Sequence, residues 1–203
     1  FNGDGKYSLN NSDFLKINLE NKFYNDQANL KLDFDFKNSL DIGLINYQKS
    51  KNLIATVSLN LEKKKDTIKI IDLSYKEGDN SINIKDLGFK GKKFLTFKKI
   101  DFKTSNNDFF IQKNKQILVK GDKFDATNLT KFFNKQSGEN KLQNINSSIV
   151  IEFKNIKMPK SEKLQNFKLI GEIKKGQFVK IVSKGDFGGN NFLDISMKKD
   201  SDT

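Results

Sequence analysis

Along most of this chain, successive residues alternate between apolar and polar. Leu30, Leu32, Phe34 and Phe36 share one parity, and Lys31, Asp33, Asp35 and Lys37 share the other. After Asn38-Ser39 the apolar parity resumes with Leu40, Ile42 and Leu44. Neighbouring side chains of a strand point to opposite faces, so the pattern predicts a strand with one apolar and one charged face. A helix turns by about 100° per residue and would scatter the same positions around its axis. Leu15, Ile17 and Leu19 carry the pattern earlier in the chain, and Leu53, Ala55, Val57, Leu59 and Leu61 carry it later. Ile68 and Ile70 continue it, and the phase then slips at Ile71, Leu73 and Tyr75, as at a β-bulge.

Polar turn signals separate these runs: Tyr24 to Ala28, Lys63 to Asp66, Glu77 to Asn80, Gly91 to Lys93, Lys175-Gly176 and Gly185 to Gly189. Towards the end, Ile149, Ile151 and Phe153 alternate with Val150, Glu152 and Lys154. The expected fold is mainly β, an antiparallel meander of about a dozen short strands without βαβ alternation. One stretch interrupts it, Ile117 to Phe133. Gly121-Asp122 is expected to end a strand. Asp125 or Thr127 is placed to cap a short helix near 126–134, whose apolar face would be Leu129, Phe132 and Phe133. The chain reads as a single segment, 1–203, with a seam near 121–146.

Composition narrows the chemistry. Phenylalanine supplies 19 of the 203 residues, while His, Cys, Trp and Arg are absent. Thiol nucleophiles, thiolate metal sites, a histidine base and bidentate arginine clamps are therefore excluded. The net charge of +12 has two readings. One is a polyanionic partner. The other is an AT-rich coding sequence, whose codons favour Lys, Asn, Ile and Phe. The lysines are mixed with acids in every segment, as in LKLDFDFK, which suits solvated strand faces. With no arginine and no recognisable module, no nucleic-acid partner is expected. No apolar run is long enough to span a bilayer as a helix.

Asp122, Asp125 and Asp186 sit in KGDKFD and KGDFGG, which lack the dense oxygen-ligand loop that calcium requires. Turn and capping roles are expected for them. The Asp186-Phe187-Gly188 triad lacks the accompanying kinase signatures. No catalytic residue, metal ligand or cofactor is assigned, and no enzyme activity is expected.

From Ile117 onward the order of features resembles the C-terminal region of the AsmA-like superfamily of envelope proteins. These features are Lys120-Gly121, Phe124-Asp125-Ala126, a short helix, Leu164-Asn166-Phe167 and Gly185-Asp186-Phe187-Gly188. The resemblance covers roughly the last 90 residues, and the earlier residues only through their meander. It implies a half-open β-groove in a longer, periplasmic protein anchored in the inner membrane. Such a groove shields phospholipid acyl chains between the inner and outer membranes and adjoins like segments of the same chain. The lining implied here is Leu30, Leu32, Phe34, Phe36, Leu40, Ile42, Leu44, Leu53, Val57, Leu59, Leu61, Ile149, Ile151 and Phe153. The helix would plug one end.

Read from the residues alone, the same apolar face also suits a closed sandwich core. A structural or adhesive β-module of a cell-surface protein is the alternative function. Lipopolysaccharide-transport groove domains are near neighbours of the lipid reading.

Overall fold

The computed structural model describes residues 1–8, 13–91, 93–129 and 145–199. They are mostly strand, in a large mixed sheet that is not closed into a barrel. By packing, the chain divides into two compact units, Phe1–Leu40 with Gln48–Ser105, and Asp41–Tyr47 with Asn106–Thr203. The units part at Ser105, whereas the sequence places its seam near 121–146.

The first unit holds β1 (Asn2–Tyr7), β2 (Leu15–Tyr24) and β3 (Gln27–Phe36). Two short strands, β4 (Leu40–Ile42) and β5 (Tyr47–Lys49), lie in the connection that follows. The unit continues with β6 (Ala55–Lys64), β7 (Thr67–Glu77), β8 (Asn80–Lys90), β9 (Lys93–Thr96) and β10 (Lys99–Lys103). Its strands pair in the order β1-β2-β3-β6-β7-β8-β10, with β9 also on β8, and every pair is antiparallel. The expected turns fall at Asn25-Asp26, Lys65-Asp66 and Gly78-Asp79. Asn25, Lys65 and Gly78 take positive φ, the backbone state that tight hairpins demand. The phase slip at Ile71 is a bulge. Asn60 faces Asp72 and Leu61 faces Ile70, which leaves Ile71 over.

The second unit holds β11 (Asp108–Lys113), β12 (Ile117–Asp125), β13 (Ser147–Lys157), β14 (Lys163–Lys174), β15 (Gln177–Gly188) and β16 (Asn191–Lys198), paired in that order. Here β12 and β13 run parallel, which makes the sheet mixed. The expected strand end at Gly121-Asp122 is not there, and β12 continues to Asp125. Gly121 serves a close approach instead. A Cβ on it would overlap the Phe109 Cβ and the Asp108 carbonyl, where β12 bulges at Asp122 against β11. Of the expected helix, Ala126 to Leu129 are described and make one turn, closed by the Leu129 N–H on the Ala126 carbonyl. The remainder, with Phe132 and Phe133, lies outside the described residues. The core of this unit is aromatic and aliphatic. Phe124 stacks on Phe153 at 5.3 Å, and Phe109 meets both edge-on at 5.4 and 5.5 Å.

Candidate apolar binding face

Strand register in the first unit turns separate alternating strands into rows. Residues directly opposite on paired strands share a face and touch. Ile17 faces Phe34, Phe34 faces Val57, Val57 faces Tyr75, Tyr75 faces Ile82, and Ile82 faces Phe102. A second row runs Leu19, Leu32, Leu59, Leu73, Ile84 and Ile100. A third joins Leu30, Leu61, Ile70 and Leu87. The first two rows cross six strands without a charged residue. Most members of the three rows, Leu30, Leu32, Phe34, Val57, Leu59 and Leu61 among them, are half-buried, while Tyr75 and Ile82 are buried. Among the described residues, the other sheet is the short pair β4-β5, of which this unit holds Leu40, Gln48 and Lys49.

The expected lining is thus partly assembled. Leu30, Leu32, Phe34, Phe36, Val57, Leu59 and Leu61 come together on β3 and β6. Leu53 does not join them; it is 46 % exposed in the turn before β6. Leu40 is half-buried at the end of the first unit. Ile42 and Leu44 belong to the second unit, where a 3-10 turn at Gly43–Ile45 ends the strand and takes Leu44 off it. Ile149, Ile151 and Phe153 also belong to the second unit, and Ile149 and Phe153 are core residues there. The parity pattern did not single out Tyr75, Ile82, Ile84, Ile100 and Phe102 as lining. Tyr75 matches the face only once the bulge at Ile71 is counted, and Ile82, Ile84, Ile100 and Phe102 join it through the register of β7, β8 and β10.

The opposite face is polar and self-neutralising. Glu20 lies 2.8 Å from Lys22 and 3.7 Å from Lys31. Lys69 meets Asp86 at 2.8 Å, and Lys99 meets Asp101 at 2.6 Å. The Lys69 ammonium, by hydrogen bonding, holds Asp86 below the usual carboxylate range. Such exposed pairs contribute about 0–1 kcal/mol each, and they keep this face in water.

Phe36 ends the apolar run beneath a buried cation. Lys49 is 2 % exposed. Its Nζ donates to the carbonyls of Lys37, Asn38 and Ser50 at 3.0, 2.9 and 3.1 Å and lies 5.3 Å from the Phe36 ring centroid. Burial pushes its pKa down, and Glu77 pulls it back up. All three ammonium donors are used, so Lys49 acts as a fastener of the β3–β6 connection.

The second unit has its own polar hub at Asp125, which is 1 % exposed. Oδ1 accepts the Thr127 N–H at 3.0 Å and the Thr127 hydroxyl at 2.5 Å. Oδ2 accepts the Asn46 amide at 3.1 Å and lies 3.6 Å from Lys157 Nζ. The Asp125 N–H donates to Asn107 Oδ1 at 2.9 Å, and the Asn107 amide donates to the Ile45 carbonyl at 2.7 Å. Burial raises the Asp125 pKa, and the Thr127, Asn46 and Lys157 donors outweigh it and bring the pKa below its ordinary value. Turn-type hydrogen bonding is thus found at Asp125, and also at Asp186, whose Oδ1 accepts the Gly188 N–H at 2.6 Å. Asp122 departs from that expectation: it is exposed on β12, 2.7 Å from Lys154. Among the described residues no group of three or more acidic side chains is placed to hold a metal ion.

Comparison with protein-family models, with curated proteins and with solved structures finds no match for this chain.

Proposed function

We propose that the chain is a lipid-binding segment whose first unit shields hydrocarbon on its apolar face. One observation carries this: two unbroken apolar rows crossing six strands, with Tyr75 and Ile82 buried and the other members half-buried. An apolar strip of this width, backed by a neutralised polar face, offers acyl chains a surface without hydrogen-bonding groups. Each methylene moved onto it from water contributes about 0.8 kcal/mol. No residue is asked to do chemistry, and the role is transfer or holding, not turnover. The resemblance to AsmA-like proteins supports a place in the bacterial envelope, between inner and outer membranes, with phospholipid as cargo.

The test is binding of a fluorescent fatty acid, displaced by phospholipid. Saturable binding that is lost in Leu32→Gln/Leu59→Gln is expected. A chain that gives no probe fluorescence, or a double variant that binds as well as wild type, refutes the proposal. The structural-module alternative has its own support in β16. This strand borders the sheet with Phe192, Ile195 and Met197 exposed, a surface suited to strand-on-strand association. Concentration-dependent assembly without probe binding would favour it.

A further inference from the structure

The turns at one end of the first unit form a rim. Strand register lines up Tyr24, Gln27, Lys64, Thr67, Lys90 and Lys93 across neighbouring strands, one residue from the hairpin tips. The next row inward, on the apolar face, is Phe23, Ala28, Lys63, Ile68, Phe89 and Phe94. The apolar face therefore runs out to the tips at this end. Phe23 and Tyr24 stand 72 % and 78 % exposed, an uncommon position for large aromatic rings. Phe23, Ala28, Lys63 and Lys65 line one shallow, open depression together with Asn25, Asp26 and Gln27.

The charge at this rim is net positive, with Lys63, Lys64, Lys65, Lys90 and Lys93 against Asp26 and Asp66. Lys90 has Asp66 at 3.9 Å. Lys63, Lys64, Lys65 and Lys93 are exposed and have no ion pair among the described residues. The β7–β8 hairpin at the opposite end carries Glu77 and Asp79 instead. Exposed aromatic rings set among unpaired lysines match the interface of an anionic bilayer. The rings occupy the boundary between headgroup and hydrocarbon, and the ammonium groups meet lipid phosphates. A duplex nucleic acid would use the lysines and leave the rings without a role.

We infer that this rim attaches the protein peripherally to an anionic lipid bilayer. Attachment needs only the rim, and is independent of whether the face above it takes acyl chains.

The experiment is co-sedimentation of the chain with phosphatidylcholine vesicles, with and without phosphatidylglycerol, over a salt series. Binding should require phosphatidylglycerol and weaken with salt. Lys63→Gln/Lys64→Gln/Lys65→Gln should weaken it about a hundredfold, from roughly fivefold per lysine at a membrane surface. Phe23→Ser/Tyr24→Ser should abolish the fraction that survives high salt. The control Lys51→Gln/Lys76→Gln/Lys103→Gln makes the same charge change elsewhere in this unit and should bind like wild type, which separates the rim from overall charge. Circular dichroism confirms that each variant is folded. Leu32→Gln/Leu59→Gln should still sediment, so failure of the acyl-chain proposal and failure of this one are told apart. Equal binding to neutral vesicles, an unaffected rim variant, or equal loss in the control would each overturn the inference. So would retention of a DNA duplex with no vesicle binding.

Discussion

Replacing Asp125 with alanine removes the acceptor at the centre of the second unit's polar hub. The carboxylate takes three hydrogen bonds, from the Thr127 N–H, the Thr127 hydroxyl and the Asn46 amide, and lies 3.6 Å from the Lys157 ammonium. The hydroxyl can rotate to another acceptor, and Asn46 also donates to Thr127 Oγ1 at 3.1 Å. The Thr127 N–H has no such recourse. One stranded donor costs about 1–3 kcal/mol, and losing charge-assisted bonds adds to it, so Asp125→Ala should cost about 3–4 kcal/mol. Asp125→Asn keeps an oxygen for Thr127 but turns an amide towards Asn46 or Lys157, and should cost about half as much. Urea unfolding followed by circular dichroism reads both, as a shift in midpoint at constant slope. Acid adds a second signature. The folded pKa of Asp125 lies below its ordinary value of 3.8. Its stabilisation is therefore complete above the unfolded pKa and is lost as pH falls through the folded one. The wild-type advantage over Asp125→Asn should hold at neutral pH and shrink below about pH 4. An alanine variant within about 0.5 kcal/mol of wild type, or an advantage unchanged by acid, would refute the hub.

Three further outcomes follow from named contacts. Gly121→Ala should destabilise by at least about 2–3 kcal/mol, because its Cβ meets Phe109 and Asp108 backbone that cannot swing aside; a melting temperature equal to wild type would show that the bulge yields. Lys49→Met should cost about 3 kcal/mol in urea unfolding, since it leaves the carbonyls of Lys37, Asn38 and Ser50 without their donor; a neutral or stabilising effect would show that water replaces the ammonium. Leu32→Gln/Leu59→Gln should cost only about 1–2 kcal/mol per site, because these side chains are half-buried. A loss typical of sealed core leucines, about 3–5 kcal/mol each, would instead mark the face as closed core.

The strands were legible because parity is a local property. Leu30 to Phe36 and Val57 to Leu61 each declare a face without reference to any other segment, and Ile71 declares its bulge by a one-residue slip. The glycine at 121 misled, because the residue that suits a turn also suits a close backbone approach, and only the position of Phe109 separates the two. Leu53 misled for a related reason: alternation continues into the turn before β6, although strand pairing starts at Ala55. The rows that make the candidate face depend on register between strands. Val57 with Tyr75 and Tyr75 with Ile82 are pairings that no single segment specifies. The Asp125 hub was half legible. Its capping role follows from Asp125 and Thr127 being two residues apart, but Asn46 comes from 79 residues away. Lys49 was invisible, since one lysine among 37 shows nothing of its burial.

The central claim, that the first unit's apolar face takes phospholipid acyl chains, is tested most directly by native mass spectrometry. The protein would be purified gently from cells, or incubated with phospholipid vesicles and separated from them. The account predicts mass additions of phospholipid size on the wild-type chain and their absence from folded Leu32→Gln/Leu59→Gln. A wild-type spectrum that shows only the bare chain under both conditions would contradict it.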